Sequence, residues 1–135
     1  MRKTENEEVF NMTDYKVLIE TEKTVFRSTV KTLQERGLFS LADVPVIASY
    51  ARNVVLARSA AKDIQKLGTV IQFKDRGFVK YKSNPAVAVL HQAQTSYEAT
   101  AIRLGLTPTG RKRLKSEEIR KEKTALEMFE EESDA

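Results

Sequence analysis

Apolar residues recur along this chain at spacings of three and four, in three long runs separated by glycine stops. Tyr15, Leu18, Ile19, Val25, Phe26, Val30 and Leu33 predict an amphipathic helix from Thr13 or Asp14 to about Arg36, with Gly37 stopping it. Asp43, with Pro45 close behind, predicts the start of a second long helix, and Ile47, Tyr50, Ala51, Val54, Ala57, Ala61, Ile64 and Leu67 give its buried stripe. Small residues at 57, 60 and 61 let a neighbouring helix approach closely. Gly68 ends that helix, and Asn84-Pro85 opens a third, in the positions where Asn caps and Pro is tolerated. Its stripe is Leu90, Ala93, Tyr97, Ala101 and Leu104, and Gly105 suits the left-handed residue beyond its end.

Between the second and third helices the period changes from helical to alternating. The stretch TVIQFKDRGFVKYK is rich in β-branched and aromatic residues around Lys74-Asp75-Arg76-Gly77, which predicts a hairpin with strands at 69–73 and 78–82. An isolated hairpin is marginal, so it must lean on the helices or on another subunit. After Gly105, Thr107-Pro108 repeats the cap-then-proline signal and predicts a short helix at a changed angle. A further helix is expected from Ser116 to Phe129, with a thin stripe of Ile119, Leu126 and Phe129. The first dozen residues, MRKTENEEVFNM, are polar without periodicity and are expected to be a disordered lead-in. The expected organisation is therefore a lead-in at 1–12, a helical core domain at 13–115 with its hairpin at 69–82, and an acidic segment at 116–135. The fold class is mainly α: a long antiparallel helical hairpin, a third helix across it, a small β-hairpin insert and a C-terminal helical or disordered acidic tail.

Composition narrows the chemistry. Forty-one per cent of the 135 residues are hydrophobic, enough for a moderate core, and no run is long enough to span a bilayer. No apolar signal region follows Arg2-Lys3, so a cytoplasmic setting is expected. Cysteine is absent, which excludes disulfides, thiolate catalysis and thiolate metal sites. There is no Gly-x-x-x-x-Gly-Lys loop for ATP. The single histidine, His91, has no metal-ligand spacing and reads as a surface or interface residue. The expectation is a protein without catalytic function and without a cofactor.

Charge is strongly partitioned. Residues 117–135 hold eight acids and three bases, a net of −5; the whole chain is +4, which leaves +9 on residues 1–116. So basic a body attracts polyanions by counterion release and long-range steering. Three surfaces are candidates for DNA. One is Arg111, Lys112, Arg113 and Lys115 on the basic turn. Another is the hairpin, where Lys74, Arg76, Lys80 and Lys82 interleave with Phe73, Phe78 and Tyr81; such a mixture can clamp a backbone or stack on bases, although the aromatics are more simply expected to pin the hairpin to the core. The third is Lys16, Lys23, Arg27 and Lys31 along the first helix, which also fits an ordinary solvent face. The stretch 31–54 can be read as helix–turn–helix, but its connection is long and its second helix too apolar for a groove reader, so a helical hairpin describes it better.

The order Asn84-Pro85, an Ala/Leu-rich stripe, then Gly105-Leu106-Thr107-Pro108 with Arg111, Arg113 and Leu114 resembles the small terminase subunits of tailed bacteriophages. Asp43, Tyr50-Ala51 and Gly68 carry a weaker part of the resemblance, which spans roughly residues 40 to 114. It implies a protein that marks double-stranded viral DNA for packaging in the host cytoplasm. It also implies assembly into a homo-oligomeric ring and recruitment of a separate terminase large subunit holding the ATPase and nuclease. On that basis Glu127, Met128, Phe129 and Glu130 are the expected docking segment, acids steering and the two apolar residues anchoring. The competing expectation is a small helical DNA-binding transcription regulator acting as a dimer, for which no clear recognition helix is present.

Overall fold

The computed structural model describes residues 3–134; Met1, Arg2 and Ala135, which belong to the expected lead-in and tail, lie outside the described residues. The fold is mainly helical, with one small antiparallel hairpin. Helices α1 (Lys3–Asn11) and α2 (Thr13–Lys16) lead into α3 (Glu20–Glu35), and a 3-10 turn at Leu41–Asp43 feeds α4 (Val44–Leu67). Strands β1 (Val70–Asp75) and β2 (Phe78–Ser83) follow, then α5 (Pro85–Leu104) and α6 (Pro108–Asp134).

Helix α4 is the spine. Its 24 residues extend about 36 Å, and it packs on α3 and, more extensively, on α5. Both pairs are antiparallel: Leu33 and Leu104, from the ends of α3 and α5, join Val44, Ile47 and Ala48 from the start of α4 in one core cluster. That core is completed by Val9, Leu18, Phe26, Val30 and Ala51, so it sits at one end of the molecule. Beyond it, α4 and α5 continue as a two-helix stalk whose contact is made by Val54, Ala57, Ala60 and Ala93, small enough for the helices to come close. The hairpin crowns the far end of the stalk.

Three expectations are corrected. The segment 3–11, expected to be disordered, is helical because Val9 is fully buried in the core and Asn6 accepts a hydrogen bond from Gln34 Nε2 at 3.0 Å. Phe10 adds a ring contact to Tyr15, 5.1 Å between centroids. The expected continuous helix 13–36 is broken at Val17–Ile19: Ile19 is extended, its N–H donates to Glu22 Oε1 at 3.0 Å, and the bend turns Leu18 into the core. The short basic helix and the separate helix from Ser116 are one 27-residue element. Ser116 does not cap a new start; its hydroxyl donates to the Lys112 carbonyl at 3.0 Å, inside a helix with no Gly or Pro after Gly110.

Candidate nucleic-acid and partner surfaces

The corner between α5 and α6 is fixed by backbone chemistry before any charge enters. Gly105 adopts φ 79°, ψ 24°; its N–H donates to Ile102 O at 3.2 Å and Leu106 N–H donates to Ala101 O at 2.9 Å, the paired bonds of a Schellman stop. Thr107 Oγ1 then accepts the Gly110 amide at 3.0 Å and starts α6. Gly110 presses on α5 so closely that an added Cβ would collide with the Ile102 carbonyl oxygen and lie 3.0 Å from its carbonyl carbon and Cα. This glycine, which the sequence pattern alone does not single out, sets how near the two helices pass. Its signal is a glycine on the first turn of a capped helix, where another residue would favour helix formation.

Two guanidinium groups converge on this corner. Arg111 Nη1 donates to Leu106 O at 3.2 Å, and Arg36 Nη1, from the end of α3, donates to the same oxygen at 3.1 Å and to Gly105 O at 3.4 Å. Among the described residues neither has a carboxylate partner. Arg111 is half-buried and committed to holding the corner, whereas Lys112, Arg113 and Lys115 are exposed. The helix splits these three: Lys112 and Lys115 share one face and Arg113 lies about 100° round.

In the hairpin, Asp75 pairs with Phe78 across a two-residue turn, Arg76-Gly77, with φ 51° and 82°. Both values are positive, as a type I′ turn requires, and Arg76 carries the strain of that conformation without being glycine. Alternation divides the side chains between two faces. Ile71, Phe73 and Asp75 lie beside Lys82, Lys80 and Phe78 on one; Val70, Gln72 and Lys74 lie beside Ser83, Tyr81 and Val79 on the other. The four expected cations are therefore not one cluster. Lys80 pairs with Asp75 at 2.9 Å and Lys82 lies 5.5 Å from the Phe73 ring centre, while Lys74 is on the opposite face and Arg76 at the tip. Nor do the aromatics pin the hairpin to the core, as expected: Phe78 is 73% and Tyr81 69% exposed, and Phe73 is exposed as well. Ile71 and Asp75 alone in the two strands are partly covered.

The cations of α2 and α3 are partly engaged by Tyr15, whose hydroxyl accepts from Arg27 at 2.7 Å and whose ring lies 5.3 Å from Lys23 Nζ. On the acidic side, every side chain from Lys115 to Glu132 is exposed. Met128 and Phe129 are adjacent on α6 and so point about 100° apart; the apolar stripe is Ile119, Leu126 and Phe129, and Met128 faces elsewhere. His91 is exposed on α5.

One further feature is not evident from the sequence pattern. Tyr50 and Tyr97 meet edge to face, 6.2 Å between ring centres, in a shallow groove between α4 and α5 lined by Val54, Ala57, Arg58 and Leu90. Burial raises the Tyr50 phenol above its ordinary value of 10.0, Tyr97 pushes it further up, and Arg58 pulls it partly back. The two tyrosines are legible as stripe residues; their meeting depends on helix register. Among the described residues no group of three His, Asp or Glu side chains is placed to hold a metal, and no helix is long and apolar enough to cross a membrane.

Compared with known proteins, residues 23–121 match the family model described as phage terminase, small subunit. No curated protein and no solved structure matches the chain.

Proposed function

The chain belongs to the phage terminase small-subunit family, and from that premise we propose that it binds double-stranded viral DNA for packaging. In this reading it assembles with copies of itself, in a ring, and recruits and modulates the terminase large subunit in the host cytoplasm, with no catalysis of its own. The DNA part is carried by one observation: Lys112, Arg113 and Lys115 stand exposed on the first turns of α6, next to a corner already holding Arg36 and Arg111. Cations so arranged gain by displacing condensed counterions from a phosphate backbone. Of the hairpin cations, Lys74 on one face and Arg76 at the tip are the second phosphate contacts, apart from the face that carries Lys80 and Lys82. The end of α6 is the docking segment for the large subunit, with Met128 as the anchor and Glu127 beside it, both off the stripe of Ile119, Leu126 and Phe129.

The test is duplex binding by the full chain across a salt series, beside its native mass. A steep fall of affinity with salt and a closed assembly of many copies support the reading. Affinity that ignores salt removes the DNA role, and a dimer with high affinity for one operator-like sequence would favour a transcription regulator.

A further inference from the structure

We propose that the acidic, apolar face of α6 on one copy seats on the basic, aromatic face of the hairpin on a second copy. The inference rests on the assembly reading above and names a contact for it. Both apolar surfaces are uncovered within one chain. Ile119, Leu126 and Phe129 are 55, 62 and 70% exposed, and so many uncovered apolar side chains along one stripe mark an interaction surface. On the hairpin, Phe78 is 73% exposed and Phe73, with Lys82 over its ring, is 37% exposed.

Charge complements charge on those same faces. At about 100° per residue, Glu118, Glu122 and Glu130 fall within the same third of the α6 circumference as Ile119, Leu126 and Phe129; Arg120 and Lys121 fall on the far side, and Lys123 borders this face about 20° beyond Glu130. The hairpin face presents Phe73 and Phe78 flanked by Lys80 and Lys82. With four cations against Asp75 alone, two hairpins repel each other, which disfavours hairpin-on-hairpin pairing and favours an acidic occupant. Size agrees: Ile119 to Phe129 covers about 15 Å of helix, and six-residue strands extend about 20 Å. The ion pair from Lys80 to Asp75 is solvent-exposed and costs little to exchange for a new one. Because the two surfaces differ, the contact is head to tail: each copy has one of each, and repetition closes a ring or a reciprocal dimer.

The chain has no cysteine, so single engineered cysteines report without background. Glu122→Cys and Lys80→Cys proteins, mixed and oxidised, should give a disulfide-linked pair that neither gives alone. In parallel, Lys80→Glu/Lys82→Glu and Glu118→Lys/Glu122→Lys should each weaken self-association roughly tenfold or more by native mass, and the four changes together should restore it. The substituted positions are exposed, and circular dichroism checks that each variant folds. Loss without restoration, unchanged mass in both charge variants, or a wild-type chain that stays monomeric overturns the proposal. Hairpin variants that lose DNA affinity at unchanged mass also overturn it and leave the hairpin to DNA. An assembly that survives the swaps and still binds DNA with a steep salt dependence sinks this contact alone, whereas failure of both wild-type assembly and salt-dependent DNA binding sinks the function reading itself.

Discussion

Asn84 donates from Nδ2 to the Gly68 carbonyl at 2.9 Å while its Oδ1 accepts the Ala86 amide at 3.0 Å. One side chain, 2% exposed, thus starts α5 and ties it to the end of α4, and its own backbone N–H donates to Thr69 O at 2.8 Å. The stalk is closed at the base of the hairpin by this residue. Removing it deletes the part-buried bond to the Gly68 carbonyl and leaves a helix without its cap, so Asn84→Ala should cost about 1–3 kcal/mol in urea unfolding. Asn84→Ser can still cap but cannot span to Gly68, and should recover part of the loss. Equal stability for all three proteins would show that the tie is not made in solution.

Gly110 gives a sharper contrast. By helix propensity alone, alanine there should stabilise α6 by up to about 1 kcal/mol. The Ile102 carbonyl blocks the added methyl, and backbone cannot step aside as a flexible side chain can. Gly110→Ala should therefore destabilise by about 1–3 kcal/mol, through a forced separation of α5 and α6. Gly37→Ala is the control. Its φ is 68° and nothing lies within 4 Å of the added carbon, so its cost should be limited to about 1–2 kcal/mol of backbone strain. Thermal unfolding of both variants decides it: a stabilised Gly110→Ala protein would contradict the close helix crossing.

The alkaline limb of stability should report on Tyr50. Its folded pKa lies above the ordinary 10.0, because burial and Tyr97 disfavour the phenolate more than Arg58 favours it. The unfolded chain therefore releases this proton first. The stabilisation is fully present below about pH 10 and is lost as the pH rises through the folded value. Tyr50→Phe has no proton to release there. The stability difference between wild type and Tyr50→Phe should stay constant at neutral pH and move against the wild type above about pH 10, measured by urea unfolding. A difference that stays flat through that range would place Tyr50 in water.

What is legible in the sequence is whatever the chain settles locally. Asn84-Pro85, Gly105 and Thr107-Pro108 satisfy their own neighbouring amides and carbonyls, so the helix boundaries they predict stand where expected. The hairpin stands where expected, but its turn is tighter than the four residues Lys74–Gly77: β1 runs on to Asp75, and Arg76-Gly77 alone make the turn. The break at Val17–Ile19 and the folding of 3–11 are tertiary: Leu18 and Val9 are placed by a core that no local signal describes. For the candidate surfaces, residue type is legible and direction is not. By type Arg111 groups with its neighbours as a phosphate ligand, yet its guanidinium is drawn back to Leu106 O; and four hairpin cations close in sequence divide between two faces and a tip.

Arg111 and its neighbours should accordingly separate in a single set of variants. Arg111→Ala removes a donor from the Leu106 carbonyl and should lower the unfolding midpoint, by about 0.5–1.5 kcal/mol as a typical hydrogen bond, with Arg36 still in place. Arg36→Ala with Arg111→Ala should cost more than either alone, since the carbonyl then has no guanidinium donor. Lys112→Ala, Arg113→Ala and Lys115→Ala change exposed side chains and should leave the midpoint within about 0.5 kcal/mol. Their effect belongs in DNA affinity: removing one cation that neutralises a phosphate should flatten the slope of log affinity against log salt by about 0.9. Arg111→Ala, by contrast, should lower stability with little change in that slope. If Arg111→Ala flattens the slope as much as Lys112→Ala does and leaves the midpoint unmoved, its guanidinium reaches DNA instead of holding the corner.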